Sequence, residues 1–185
     1  MPRRQFSLFV VLCLAVVAHG QTTNTIDTAR QLASSANDSA TTLEEREDAL
    51  RKLQQSAQLF IGAGEKIEAA RVLNRVGRLQ LILAAPSDAI SAHNQALSLL
   101  KSAPDVEVEV DNLNGLATAS LSNADTSAVE PLLNRSKMLS EQSHYTRGQA
   151  EALLTLSILQ NRDNHVVALK TALESLALWT TVGDK

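Results

Sequence analysis

Arg71, Arg75 and Arg78 are the residues of this chain best suited to act on a partner. Guanidinium groups on successive helical turns can take carboxylates through forked hydrogen bonds. The same spacing also suits a solvated helix face, and residue types alone leave both readings open. Catalysis has less to work with. Beyond residue 20 the imidazoles are His93, His144 and His165, each in a separate segment, with no Gly-rich phosphate loop and no His/Asp/Glu cluster at metal-ligand spacing. His93 sits on an apolar helical stripe and reads as a half-buried packing residue, while His144, beside Tyr145, and His165 fall in predicted turns. Trp179 reads as core or end-of-stack packing. The chain is therefore expected to be non-enzymatic, with no cofactor and no metal.

The elements that must carry these residues come from a pattern of about 40 residues. In residues 69–102, Leu73, Val76 and Gly77 share one side of a first helix, and Ala89, His93, Ala96, Leu97 and Leu100 recur on a second at three- and four-residue steps. Pro86, Ser87 and Asp88 separate the two. Leu73, Asn74, Val76 and Gly77 become Leu113, Asn114, Leu116 and Ala117 in the next copy, then Leu153, Leu154, Leu156 and Ser157. In the second helices Ala89-Ile90 with Leu99-Leu100 is matched by Ala128-Val129 with Met138-Leu139, by Ala168-Leu169 with Leu178-Trp179, and earlier by Ala49-Leu50 with Leu59-Phe60. Gly64 and Gly183 follow their helices at the same distance, as C-terminal stops. Gly77, Ala89 and Ala96 are small, as expected where two helices approach closely.

Helix starts are predicted at three capping boxes, Thr42-x-x-Glu45, Ser127-x-x-Glu130 and Thr146-x-x-Gln149, with Pro131 in a first turn. The VEVEV run at 106–110 alternates like a strand. Val106, Val110, Leu113 and Ala117 also keep helical spacing, however, and the repeat requires a helix there. Such hairpins cannot bury their apolar faces singly, so neighbouring copies must stack.

Composition agrees with one helical domain with an aliphatic core: 185 residues, 44% hydrophobic and only 3% aromatic. Arg3 and Arg4, an apolar run to Ala18, and the small residues Ala18 and Gly20 read as a secretory signal over 1–20, cleaved after Gly20, with a retained anchor as the alternative. The one cysteine, Cys13, lies inside it, so the remaining chain is expected to hold no disulfide. Removing Arg3 and Arg4 leaves 15 basic against 20 acidic residues, or −5, which argues against nucleic-acid or anionic-membrane partners. Residues 21–41 are expected to form a weakly packed helix or cap, 42–64 the second helix of a partial repeat, and 65–103, 104–143 and 144–185 three full copies.

These motifs resemble the tetratricopeptide repeat (TPR), in the 40-residue form seen in kinesin light chains and in bacterial proteins with a caspase-like CHAT domain. Gln80, Ser120 and Gln160 replace the family's aromatic, and Arg135 stands where the third copy wants a small residue. The resemblance implies an all-α, right-handed superhelical stack of antiparallel helix pairs whose first helices line a concave groove. Carried onto this chain, the groove positions are Arg71, Asn74, Arg75 and Arg78, then Asp111, Asn114 and Thr118, then Glu151, Leu154 and Ile158. A protein or peptide partner with acidic groups is the implied ligand, Asn74 and Asn114 pairing with its backbone, and the site of action is secreted or periplasmic. Two further expectations follow from the ending at VGDK, where the next first helix should begin. The array is either a stand-alone scaffold, able to self-associate through an uncapped end, or the sensor part of a larger protein carrying a protease, kinase or transcriptional output.

Overall fold

The structure, a computed structural model, describes residues 22–37 and 39–183. The proposed signal, Cys13 and the last two residues lie outside them. The described residues form a helical repeat protein with α1 over 22–35, α2 (Leu43–Ala63), α3 (Lys66–Ile82), α4 (Pro86–Leu100), α5 (Val106–Ser122), α6 (Val129–Gln142), α7 (Thr146–Gln160) and α8 (His165–Val182). VEVEV is helical, as the spacing required. From α2 onward each helix packs on the next, which makes the chain an α-solenoid. The odd helices α3, α5 and α7 also touch one another, whereas the even helices do not to any comparable extent, so the stack is tighter on the odd side. No helix among the described residues is long and apolar enough to cross a membrane.

The 40-residue period holds residue by residue between α3 and α5, and in part in α7, where Leu156 and Leu159 are only half-buried. Ala70, Leu73, Val76 and Leu79 of α3 are buried, as are Val110, Leu113, Leu116 and Ala119 of α5. In α7 Ala150, Ala152 and Leu153 are buried, but Leu154 is not. Among the second helices, α6 follows another register than the sequence suggested. The buried row is Ala49, Leu53, Ser56 and Phe60 in α2, then Ala89, His93, Ala96 and Leu100 in α4, then Val129, Leu133, Ser136 and Ser140 in α6. Ala128 is thus not the partner of Ala89, and Met138, aligned with Leu99 above, is 50% exposed. The small position is filled by Ser136, and Arg135 instead reaches outward to Glu109. Serines suit this row because their hydroxyls can be satisfied inside it: Ser56 Oγ donates to Ala29 O, Ser136 Oγ to Asn114 Oδ1 and Ser175 Oγ to Ala150 O. Ser56 and Ser175 bond the helix before them in the same way, and with Ala29 and Ala36 buried, α1 stands to α2 as α7 stands to α8.

Of the three capping boxes one forms. Thr42 Oγ1 accepts from Glu45 N while Glu45 Oε2 accepts from Thr42 N. Helix α6 begins only at Val129, and Ser127 Oγ bonds Asp125; α7 begins at Thr146 itself, and Gln149 reaches back to Glu141. Caps the sequence reading missed are Asp105 on Val108 N and Asn164 on Val166 N and Val167 N. Pro131 does lie in the first turn of α6, and Gly64 and Gly183 take the left-handed conformation at their helix ends.

His93 organises the middle of the stack. It is fully buried rather than half-buried, and it stands where α2 and α6 have Leu53 and Leu133. Its ring fits between Gly77 of α3 and Gly115 of α5: a Cβ on either would come within 2.4 or 2.2 Å of ring atoms. Gly77 is therefore required by a side chain and not by a backbone crossing. Asn112 Nδ2 donates to Val108 O and Ala70 O, which leaves Oδ1 to accept from His93 Nδ1 at 3.1 Å. Burial lowers the His93 pKa and favours the neutral ring.

Candidate peptide-binding cleft

Across the odd-helix layer runs an open cleft of about 670 Å³. Helix α3 supplies Arg78, Leu81 and Ile82; α5 supplies Asp111, Asn114, Gly115 and Thr118; α7 supplies Arg147, Glu151, Leu154, Thr155 and Ile158; Trp179 of α8 closes one side. Seven of the expected groove positions therefore converge: Arg78, Asp111, Asn114, Thr118, Glu151, Leu154 and Ile158. A side pocket of about 370 Å³, sharing Arg78, Ile82 and Arg147 with the cleft, adds Asn74, Arg75 and Leu79.

The arginines do not act as one row. Arg71 pairs with Asp105 at 3.0 Å, and this carboxylate also caps α5. Arg75 is a structural residue, because its guanidinium donates to Ala33 O at 2.8 Å and Ala36 O at 3.2 Å and so ties down the end of α1. Arg78 remains in the cleft, 56% exposed, 3.4 Å from Glu151. Its companion is Arg147, which the groove assignment did not contain. Arg147 Nε lies 3.8 Å from the same Glu151 oxygen, and its guanidinium sits 5.8 Å from the centre of the Trp179 ring. The two guanidiniums are about half exposed, whereas the Glu151 carboxylate they share is only 18% exposed. Trp179 is half-buried and lines this cleft, so it is no core residue.

The two asparagines separate in the same way. Asn114 is buried and already engaged, its Nδ2 donating to Gly148 O at 2.9 Å and its Oδ1 accepting from Ser136, so it holds α5 to α6 and α7. One repeat earlier the residue in the place of Ser136 is Ala96, which has no hydroxyl to offer, and Asn74 Nδ2, in the place of Asn114, is buried with no protein partner. Thr118 Oγ1 bonds Asn114 O within α5 and lies 3.3 Å from Thr155 Oγ1 of α7.

At the cleft floor Asp111 accepts a hydrogen bond from Tyr145 Oη at 2.9 Å. Burial pushes its carboxyl up to about 6, the Tyr145 bond opposing and the Glu151 charge adding to the shift. Desolvation and the nearby Asp111 charge raise the Tyr145 pKa. A carboxyl raised in the folded state binds its proton there more tightly than in the unfolded chain, so this group costs stability above about pH 6 and the cost disappears below about pH 4. Asp111→Asn keeps an acceptor for Tyr145 and removes the ionisation. It is expected to raise the melting temperature at pH 8, with the advantage over wild type shrinking as the pH falls from 6 to 4. Thermal melts of both proteins over that range provide the check, and a constant difference would rule out Asp111 as the titrating group. The variant-minus-wild-type difference cancels the opposite contribution of His93, whose lowered pKa costs stability as the pH falls.

His144 is an exposed turn residue with φ of 57°, and His165 begins α8 with its Nδ1 2.8 Å from Asn161 Oδ1. Neither reaches His93, and among the described residues no three His, Cys, Asp or Glu gather as metal ligands. Comparison with family models and with curated proteins returns no match for this chain.

Proposed function

We propose that this protein is a non-catalytic interaction scaffold of the tetratricopeptide type that seats an extended peptide or protein segment in the cleft across α3, α5 and α7. The observation that supports this most is the composition of the cleft wall. Two guanidinium groups, Arg78 and Arg147, share a single carboxylate and stand beside the apolar side chains of Ile82, Leu154 and Ile158, two of them about half exposed on α7. A segment carrying an acidic group next to an aliphatic side chain complements both. Arg3, Arg4 and the apolar run that follows support an exported place of work, secreted or periplasmic.

Display of random peptides against the full chain, followed by calorimetry of the enriched sequences, tests this reading. Enriched peptides should pair Asp or Glu with Leu, Ile or Val. The double variant Arg78→Ala/Arg147→Ala should bind them about tenfold or more weakly, the loss of two charge-assisted contacts, at an unchanged melting temperature. Equal affinities for wild type and double variant would exclude the cleft. Arg71 and Arg75 are left out of the variant because their contacts belong to the fold.

A further inference from the structure

Helices α2, α4 and α6 each pack on the odd helix that follows, and α8 has no following helix among the described residues. Its inner side, Ala168, Thr171 and Ser175, is buried. The side turned away from this carries a second apolar stripe: Val166 is 80% exposed, Leu169 62%, Leu173 57% and Leu176 58%. Steps of three, four and three residues make this an a/d seam of the kind two helices share. The stripe is also its own complement. Val166 and Leu176 lie five residues either side of Thr171, and Leu169 and Leu173 lie two either side. A twofold axis at that level sets Val166 against Leu176 and Leu169 against Leu173 of an antiparallel partner. Lys170 and Glu174 flank the same edge of the seam, and neither pairs with another charge among the described residues. In the antiparallel arrangement the same edges meet, which brings Lys170 of each copy beside Glu174 of the other. Continuing the stack head to tail is disfavoured by comparison, because α1 at the other end is exposed through Asn24, Asp27, Arg30, Gln31 and Ser34.

We infer that α8 is the contact face of a homodimer in which two copies of this chain pack α8 against α8, antiparallel, about a twofold axis level with Thr171. The inference stands apart from the cleft, since none of the seam residues lines it. Sedimentation velocity on the full chain is expected to show a dimer. Leu173→Glu, which sets one unpaired carboxylate from each copy into the seam, should weaken it at least about a hundredfold while leaving the helical circular dichroism unchanged. Lys170→Glu and Glu174→Lys should each weaken the dimer, and the double variant should regain it. A monomeric wild type, a Leu173→Glu protein that still dimerises, or a double swap no better than either single change would overturn the inference.

Discussion

Leu113→Ala is expected to destabilise the protein by about 2 to 5 kcal/mol, the range for truncating a fully packed leucine, and to lower the melting temperature by about 4 to 20 °C. Leu113 is 3% exposed on α5, the one helix that packs on α3, α4, α6 and α7, so the cavity opens where the surroundings are held from all sides and can least collapse. Leu73 and Leu153 hold the equivalent places at 4% and 5% exposure. Met138→Ala on α6 is the matched control. Aligned by sequence alone it would be a core residue, yet it is 50% exposed, and its loss should stay within about 0.5 kcal/mol. Chemical denaturation of the two variants separates the registers. An unchanged Leu113→Ala, or a Met138→Ala as costly as a core truncation, would show the repeat frame to be misplaced.

Gly115→Ala is expected to cost about 1 to 3 kcal/mol although it adds a single methyl group. That methyl would come within 2.2 Å of His93 Cε1, and the ring cannot retreat because Gly77 bounds its other side and Asn112 holds its Nδ1. Gly77→Ala should behave alike. In other contexts alanine for glycine inside a helix stabilises by about 0.5 to 1 kcal/mol, so even the sign of the effect is diagnostic. His93→Ala vacates the space, and the double variant His93→Ala/Gly115→Ala should be more stable than the two single losses added together, with a coupling of about 0.5 to 3 kcal/mol. Additive losses would mean that the glycine is needed for another reason.

Much of this molecule is legible in its sequence. Leucine, alanine and valine recurring at helical steps mark a buried stripe in every helix, and their return about every 40 residues requires hairpins that stack. The capping box at Thr42 and the glycine stop at Gly64 were legible for the same reason, since both depend on residues a few places apart. The boxes proposed at Ser127 and Thr146 failed because a hydroxyl three residues before a Glu or Gln caps only from the N-cap, the residue just before the helix. Those N-caps are Ala128 and Tyr145 instead.

What the chain's order of residues determined by itself was the helical class, the unit length and the face each first helix buries. These are local properties, repeated. Tertiary structure decided the register of α6 and the allegiance of every polar group in the odd layer. A buried stripe more than about 100° wide tolerates a slip of one residue. Half of the buried face of α6 is Ser136 and Ser140, while the apolar Met138 is half exposed, so the register is selected by tertiary contacts, the packing of Val129 and Leu133 and the bond from Ser136 to Asn114. Whether an arginine faces a ligand or the fold depends likewise on groups far away in the chain: Asp105 for Arg71, Ala33 and Ala36 for Arg75, Glu151 for Arg78. Spacing along one helix carries no information about partners 34 to 73 residues distant, and stacking the helices is what brings them within reach.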